Sequence, residues 1–136
     1  MATLLVTGAA GFIGSNFVRY WLVEHPGDGM VALDLLTYAG NRPNLVDVED
    51  RITFVEADIA DVDLIEELVR TRGIDVIVNF AAESHNSLAV LDPGRFMRTN
   101  ALGTQSLLEA CRRVGVERFH HVSTCEVYGD LALDDP

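Results

Sequence analysis

The chain has 136 residues, of which 49% are hydrophobic and 23% are charged. This length suits one domain with a packed core, and the composition excludes the disordered and fibrous classes. The formal net charge of −11 disfavours binding to nucleic acid or to an anionic lipid surface, because both carry negative charge themselves.

The sequence begins without a basic segment ahead of an apolar one, and it contains no run of about 18 apolar residues that could span a bilayer. Its two cysteines, Cys111 and Cys125, are too few and too far apart for a disulfide framework or a metal site. We therefore expect a reduced, cytoplasmic protein without a membrane segment.

Short β-rich runs alternate with segments of helical period, which predicts a parallel sheet with helices on both faces. Strands are expected at residues 3–7, 30–34, 52–55, 75–80 and 118–123. We expect one Rossmann-type doubly wound domain over residues 1–136. Such sheets normally continue past the fifth strand, so we also expect that the carboxyl-terminal part and a separate substrate domain are missing.

Three sets of apolar residues recur at helical spacing, and each is predicted to form one buried stripe. These sets are Ile13, Phe17, Trp21 and Leu22; Leu64, Ile65, Leu68 and Val69; and Leu107, Leu108, Cys111 and Val114. Pro43 interrupts the segment after the second strand. Pro93 and Gly94 predict that a long helix starts near residue 95.

The first predicted strand is followed by TGAAGFIG, in which Gly8, Gly11 and Gly14 open a helix. In a dinucleotide site the first glycine permits the tight turn, the second lets the backbone approach a pyrophosphate, and the third allows close helix packing. The helix N-terminus then stabilises the negative charge. Taken alone, the pattern is also compatible with an ordinary glycine-rich turn.

Acidic residues end the second and third predicted strands. Asp34 can accept hydrogen bonds from the adenosine ribose hydroxyls and would repel a 2′-phosphate, which favours NAD over NADP. Asp58 and Ile59 are candidates for the edge and face of the adenine. The alternatives are a helix cap at Asp34 and a polar strand end followed by a core isoleucine at Asp58 and Ile59.

Two further segments carry polar groups. After the fourth strand, Ala81 and Ala82 leave room for a ligand, and Glu83, Ser84 and His85 fall on the following loop. After the fifth strand, Ser123, Thr124 and Glu126 offer hydroxyls for a sugar oxygen and a carboxylate to move a proton near the nicotinamide end.

Thr99 and Asn100 fall in a helix, where polar residues usually face solvent. His120 and His121 are adjacent on a strand and point to opposite faces, so no metal is expected there.

These segments resemble the extended short-chain dehydrogenases, and most closely the nucleotide-sugar dehydratases of the dTDP-glucose 4,6-dehydratase type. The matching stretches are TGAAGFIGSNFVRYWL, LDLLTYAGN, NFAAESH, TNALGTQSLLEA and STCEVYGDL. The resemblance implies that NAD takes a hydride from C4 of the glucose ring. A base then removes the C5 proton, the C6 hydroxyl leaves as water, and the hydride returns to C6, giving a 4-keto-6-deoxy sugar nucleotide.

The resemblance also assigns roles to residues. Ser84 and Thr124 would contact the sugar, Glu126 would be the C5 base, and the protein would be a homodimer. Together with the three glycines of the turn, Gly8, Gly11 and Gly14, the NAD contacts would be Phe12, Ile13, Asp34, Leu35, Leu36, Thr37, Asp58, Ile59, Phe80, Ala81, Ala82, Glu83, Ser84 and Thr99.

The sequence departs from the family pattern at three places. Cys125 stands where relatives have the Asp that assists water loss, Leu35 replaces a basic residue, and HNSLAV replaces an acidic and basic pair after the AAESH segment. We expect Cys125 or a nearby water to supply the proton, because a thiol is protonated at neutral pH.

The Tyr-x-x-x-Lys pair that oxidises C4 in this superfamily is absent from the 136 residues, so this stretch alone is not expected to be active. The alternatives are an NAD-dependent sugar-nucleotide epimerase or decarboxylase, which lacks the elimination step, and a non-catalytic dinucleotide-binding module.

Overall fold

The computed structural model describes residues 1–129, apart from the side chain of Asn86. Asp130 and Leu131, which end the STCEVYGDL motif, lie outside the described residues. A five-stranded parallel sheet has the order β3-β2-β1-β4-β5. The predicted Rossmann-type sheet is confirmed, with its strands at β1 (Thr3–Thr7), β2 (Gly29–Asp34), β3 (Thr53–Glu56), β4 (Val76–Asn79) and β5 (Arg118–His121).

Helices connect the strands on both faces of the sheet. They are α1 (Phe12–Glu24), α2 (Val62–Arg72), α3 (Asn86–Leu91), α4 (Pro93–Phe96) and α5 (Thr104–Val114), with 3-10 segments at Arg42–Arg51 and Cys125–Tyr128. A π-helical segment, Met97–Gly103, joins α4 to α5. The predicted long helix therefore begins at Pro93. No helix among residues 1–129 is long and apolar enough to cross a membrane.

Strand side chains alternate between two hydrophobic cores. Leu5 and Ile77 belong to the core beneath α2 and α5, whereas Leu4, Val6 and Val78 belong to the core beneath α1. Because both faces are covered there, the central strands β2, β1 and β4 are apolar almost throughout, as parallel strands usually are, whereas the edge strand β5 is largely polar. Each fully buried leucine of this kind contributes about 1.5–3 kcal/mol through burial of its side chain.

Local sequence signals set the ends of α2 and α5, the helices that cover one of the two cores. Asp61 caps α2 by accepting a hydrogen bond from the backbone N–H of Leu64 at 3.2 Å. Gly73 and Gly115 end α2 and α5 in the left-handed region, with φ of 59° and 90°. Glycine adopts this conformation without the steric cost that a Cβ would add.

Two residues of the predicted buried stripes are exposed, so the prediction is wrong for Ile13 and Leu108. Ile13 is 61% exposed and Leu108 is 48% exposed. The buried residues of α1 are Gly14, Ser15, Val18 and Leu22. The contact face of α1 thus contains two small residues that carry no hydrophobic signal, and this rotates the stripe away from Ile13.

Candidate functional site

A groove of about 590 Å³ runs along the carboxyl edge of the sheet. Its volume lies in the range of ligand pockets, roughly 300–1,000 Å³. Strands β2 and β3 lie on one side of β1, whereas β4 and β5 lie on the other side. The direction in which strands are added to the sheet therefore reverses beside β1. Doubly wound sheets bind ligands in the crevice at such a point.

Nearly all residues that the sequence predicts for the site line this groove, and the two exceptions are Leu36 and Cys125. The groove-lining residues among those predicted are Gly8, Gly11, Phe12, Ile13, Gly14, Asp34, Leu35, Thr37, Asp58, Ile59, Phe80, Ala81, Ala82, Glu83, Ser84, Thr99, Thr124 and Glu126. Asn100 and Ser123, which the sequence marked without a firm role, also line it.

Other lining residues were missed by the sequence interpretation. They are Leu33, Ala39, Gly40, Ala57, Thr104, His121, Val122 and Val127. Four of these eight directly precede or follow a predicted residue, namely Leu33, Ala57, Val122 and Val127, so position relative to the strand ends is the signal that could find them. Thr104 had no such signal, because it lies one helical turn beyond Asn100 in the long helix.

The glycine-rich turn brings backbone from three segments into close contact. Gly8 has a φ of +63°, and a Cβ placed on it would lie 2.7 Å from the backbone nitrogen of Ala81. A Cβ on Gly14 would lie 2.1 Å from the carbonyl oxygen of Gly8. Only glycine fits at both positions, so the turn after β1, which we call the cradle, packs its backbone directly against the start of α1 and the segment after β4.

The N-terminus of α1 is open at this cradle. Its cap residue, Gly11, has no side chain that could accept a hydrogen bond from the helix, and the first turn contains no acidic residue. The first N–H groups of a helix lack partners within the helix and favour an anion. A phosphate group therefore fits the cradle even though the chain carries a net negative charge.

Asp34 connects the cradle to the segment after β2. Its side chain is buried, and Oδ2 accepts a hydrogen bond from the backbone N–H of Ala10 at 2.9 Å, while Oδ1 accepts one from Leu36 at 2.8 Å. A carboxylate has about four acceptor positions, so Asp34 can also accept hydrogen bonds from ligand hydroxyls. Leu36 has a φ of 53° and packs its side chain against the core beneath α1. This explains why Leu36 does not line the groove.

Asp58 and Ile59 lie on the wall formed by the segment after β3. Asp58 accepts hydrogen bonds from the Arg98 guanidinium at 2.9 Å and from the backbone N–H of Ala60 at 2.8 Å. Ile59 is buried, and a Cβ placed on Gly103 would lie 2.5 Å from its side chain. The π-helical segment therefore supports this wall through Arg98 and Gly103.

The same segment fixes the loop that contains Ser84. The side-chain amide of Asn100 accepts a hydrogen bond from the backbone N–H of Glu83 and donates one to its carbonyl, both at 2.9 Å. The Glu83 carboxylate, 5% exposed, pairs with Nε of Arg95 at 2.6 Å. Arg95 of α4 thus brings a basic group to this loop. Thr99, which the resemblance assigns to NAD, and Asn100, whose place in a helix favoured a solvent-facing side chain, both line the groove.

A chain of hydrogen-bonded polar side chains crosses the sheet at the groove, and it is buried at Thr7 and Asn79. Asn79 is fully buried and accepts a hydrogen bond from the hydroxyl of Thr7. Thr7 in turn accepts one from the backbone N–H of Ala81 at 3.3 Å, and Asn79 Nδ2 lies 3.0 Å from Nδ1 of His121. These contacts connect the ends of β1, β4 and β5 at the groove. Within residues 1–129, no group of three or more acidic, cysteine or histidine side chains is placed to hold a metal ion.

The segment after β5 holds the predicted proton-transfer groups. Thr124 and Glu126 line the groove, and their side chains form a hydrogen bond of 2.6 Å. Cys125 lies between them, is exposed, and does not line the groove. A hydroxyl and a carboxylate therefore share one end of the groove, while the glycine cradle and Asp34 lie towards the other strands.

Comparison with known proteins identifies a family. The model of the NAD dependent epimerase/dehydratase family matches residues 4–136. The chain is 56% identical over 132 residues to a dTDP-glucose 4,6-dehydratase from Mycobacterium tuberculosis, covering 97% of this chain and 39% of that protein. The chain thus spans about two-fifths of the length of this curated relative.

Solved structures give the same result. The crystal structure of a dTDP-glucose 4,6-dehydratase from Streptomyces venezuelae with NAD and TYD bound superposes with a TM-score of 0.88 and 48% identity, covering 96% of this chain and 42% of that one. A UDP-glucose 4-epimerase from Brucella ovis in complex with NAD gives a TM-score of 0.83 and 32% identity, with 97% and 38% covered. The chain belongs to the NAD dependent epimerase/dehydratase family.

Proposed function

We propose that this chain binds NAD and forms the cofactor-binding part of a nucleotide-sugar dehydratase that acts on dTDP-glucose. The observation that carries the proposal is the single groove, which contains both the residues predicted for NAD and the Thr124–Glu126 pair predicted for the sugar. Residues 1–136 form the NAD-binding domain in this proposal. The relatives named above support dTDP-glucose as the substrate.

The shape and donor set of the groove fit NAD. The pyrophosphate would lie against the backbone of the Gly8–Gly14 turn, at the N-terminus of α1, and Asp34 would hold the adenosine ribose. The adenine would lie by Asp58 and Ile59. NAD supplies a hydride acceptor that takes hydrogen from C4 and returns it to C6. A 2′-phosphate would bring negative charge to the buried Asp34 carboxylate, so NADP fits less well.

The chain itself would position the sugar and move protons. Ser84 and Thr124 would donate or accept hydrogen bonds with sugar hydroxyls, and Glu126 would remove the C5 proton after oxidation at C4 has acidified it. As the C5–H bond breaks, its electron pair forms the C5–C6 double bond, and the C6 hydroxyl leaves as water after gaining a proton. Cys125 or a water beside it would supply that proton.

One observation favours a second candidate, an NAD-dependent sugar-nucleotide epimerase or decarboxylase. Cys125, at the position of the family's acid, does not line the groove, although both its neighbours do. An enzyme without an acid here could oxidise C4 and still fail to eliminate water. The epimerase from Brucella ovis has the same fold as this chain.

The test is to incubate the whole protein with dTDP-glucose and either NAD or NADP, following the sugar nucleotide by mass spectrometry. We expect loss of one water and a clear preference for NAD in parallel binding titrations. Equal or tighter binding of NADP would contradict the role of Asp34. A 4-keto or epimerised product that retains the water would replace the dehydratase proposal with the epimerase.

For the whole protein we also propose a cytoplasmic homodimer, as the resemblance implies. Leu102 and Leu108 of the long helix are 46% and 48% exposed, which supports an apolar surface available for a second copy. Sedimentation analysis of the whole protein tests this, and a monomer at micromolar concentration would contradict it.

A further inference from the structure

Three side chains connect the two walls of the groove. One wall contains Thr37 and Ala39, which line the groove, and Tyr38 between them does not. The guanidinium carbon of Arg95 lies 5.3 Å from the centre of the Tyr38 ring. Arg95 also forms an ion pair of 2.6 Å with Glu83. Glu83 lies on the opposite wall of the groove, which is formed by the segment after β4. We call Tyr38, Arg95 and Glu83 the Tyr38 bridge.

The bridge is buried at Glu83 and exposed at Tyr38. The Glu83 side chain is 5% exposed and that of Arg95 is 35% exposed, while Tyr38 is 53% exposed. Glu83 is also held through its backbone by Asn100. The contact between Tyr38 and Arg95 is therefore the part of the bridge that can open while the ion pair stays intact.

His85 adds a second contact from the same wall to the same ring. Its imidazole lies 6.4 Å from the Tyr38 ring in an edge-on arrangement. The ring of Tyr38 is thus bounded by Arg95 and His85, both from the segments that follow β4. No residue of the bridge belongs to the proposed proton-transfer pair.

We propose that the Tyr38 bridge holds the walls of the groove together around bound NAD and slows its release. This inference rests on the proposed function, in which the hydride taken from C4 is returned to C6 and the cofactor must remain bound between the two steps. Release requires the walls to separate, and the exposed contact between Tyr38 and Arg95 sets how often they do so.

The test compares Tyr38→Leu with Tyr38→Phe, because phenylalanine keeps the aromatic face and leucine removes it. The whole protein is loaded with labelled NAD and chased with unlabelled NAD, and the retained label is followed over time. We expect Tyr38→Leu to release NAD about two to five times faster, the range expected for a partly exposed cation–π contact. Tyr38→Phe should match the wild type, as should Tyr20→Leu, which removes an exposed tyrosine from α1.

A second variant guards against an effect of folding. Arg95→Lys keeps a cation for Glu83 but removes the planar guanidinium that faces the ring, so NAD release should again be faster. Wild-type release rates in both Tyr38→Leu and Arg95→Lys would overturn the bridge. If the wild type itself does not retain NAD, the proposed function fails instead, so the two failures are distinguishable.

Discussion

The hydroxyl of Thr124 donates a hydrogen bond to Oε2 of Glu126 at 2.6 Å. The backbone N–H of Glu126 donates to the same hydroxyl oxygen at 3.3 Å. A hydrogen bond to a carboxylate is shorter and stronger than one between neutral groups, so Thr124 orients the Glu126 carboxylate. Thr124 is therefore a positioning residue for the proposed base, in addition to its proposed contact with the sugar.

Replacing Glu126 by Gln keeps the side-chain shape and removes the proton acceptor. We expect the variant still to reduce bound NAD with the sugar nucleotide, because oxidation at C4 does not need this base. Exchange of the C5 hydrogen with deuterated solvent should fall about 100- to 10,000-fold, the usual range for removing a general base. Exchange at the wild-type rate would exclude Glu126 as the C5 base.

Thr124→Val and Thr124→Ser are the matched pair for the positioning role. Serine retains the hydroxyl and should keep most of the C5 exchange, whereas valine leaves the carboxylate without its short hydrogen bond. We expect a smaller loss with valine than with Glu126→Gln, since the base itself remains. Equal exchange rates in the valine and serine variants would contradict the positioning role.

A pair of glycine substitutions separates backbone strain from close packing in the cradle. Gly8 and Gly73 have nearly the same φ, +63° and +59°, but only Gly8 has backbone within 3 Å of a built Cβ. Gly73→Ala should cost about 1–2 kcal/mol of unfolding free energy for the left-handed conformation alone. Gly8→Ala should cost about 1–3 kcal/mol more through overpacking, and it should also weaken NAD binding. Urea unfolding and NAD titration of both variants check this, and equal losses of stability would contradict the close approach at Gly8.

The pH dependence of stability should include a contribution from Glu109. Its hydrogen bonds with Arg112 and Arg113 lower the pKa of Glu109 from 4.5 to about 2. Because the folded-state pKa is depressed, this stabilisation is present above the unfolded value and is lost as the pH falls from about 4.5 towards about 2. Urea midpoints measured across that range should fall less steeply for Glu109→Gln than for the wild type. Identical slopes would show that the ion pairs of α5 do not couple to folding.

The strand pattern and the site loops could be predicted from the sequence, because both follow from local signals. Short β-rich runs predict all five strands, and residues that end or follow a strand lie at the carboxyl edge of a parallel sheet. Asp34 and Glu126, predicted for the site in this way, both line the groove. The glycines were found from their spacing, and their close contacts in the structure agree with that interpretation.

Features that depend on packing between distant segments have no local signal in the sequence. Ile13 was predicted to be buried, but the close contact of Gly14 with Gly8 sets the orientation of α1 and leaves Ile13 at the groove. Asn100 was expected to face solvent, yet it binds the backbone of Glu83 across 17 residues of chain. The π-helical segment that presents Asn100 has no distinctive composition, so helical periodicity alone does not reveal it.

The two cysteines differ in environment, which makes Cys125 selectively addressable. Cys111 is 6% exposed, and burial raises the pKa of its thiol, whereas Cys125 is exposed. An alkylating reagent acts on the thiolate, so we expect modification at Cys125 well before Cys111. Peptide mapping by mass spectrometry after brief alkylation checks this. Equal modification at both sites would contradict the burial of Cys111.

The substitution that decides the reaction is Cys125→Asp. Wild-type protein should dehydrate dTDP-glucose slowly, because a thiol holds a proton at neutral pH but is a weak hydrogen-bond donor to a leaving hydroxide. Cys125→Asp restores the residue that relatives usually have at this position, and we expect it to speed loss of water about 10- to 1000-fold, the scale of general acid catalysis.

Cys125→Ala is the control: it should be slower than wild type if the thiol supplies the proton and equal to wild type if a water does. Glu126→Gln, introduced together with Cys125→Asp, should abolish the gain, since water loss follows removal of the C5 proton. Mass spectrometry of the sugar nucleotide follows all four proteins. If neither wild type nor Cys125→Asp loses water while both oxidise C4, the groove supports epimerase-like chemistry and the dehydratase proposal is wrong.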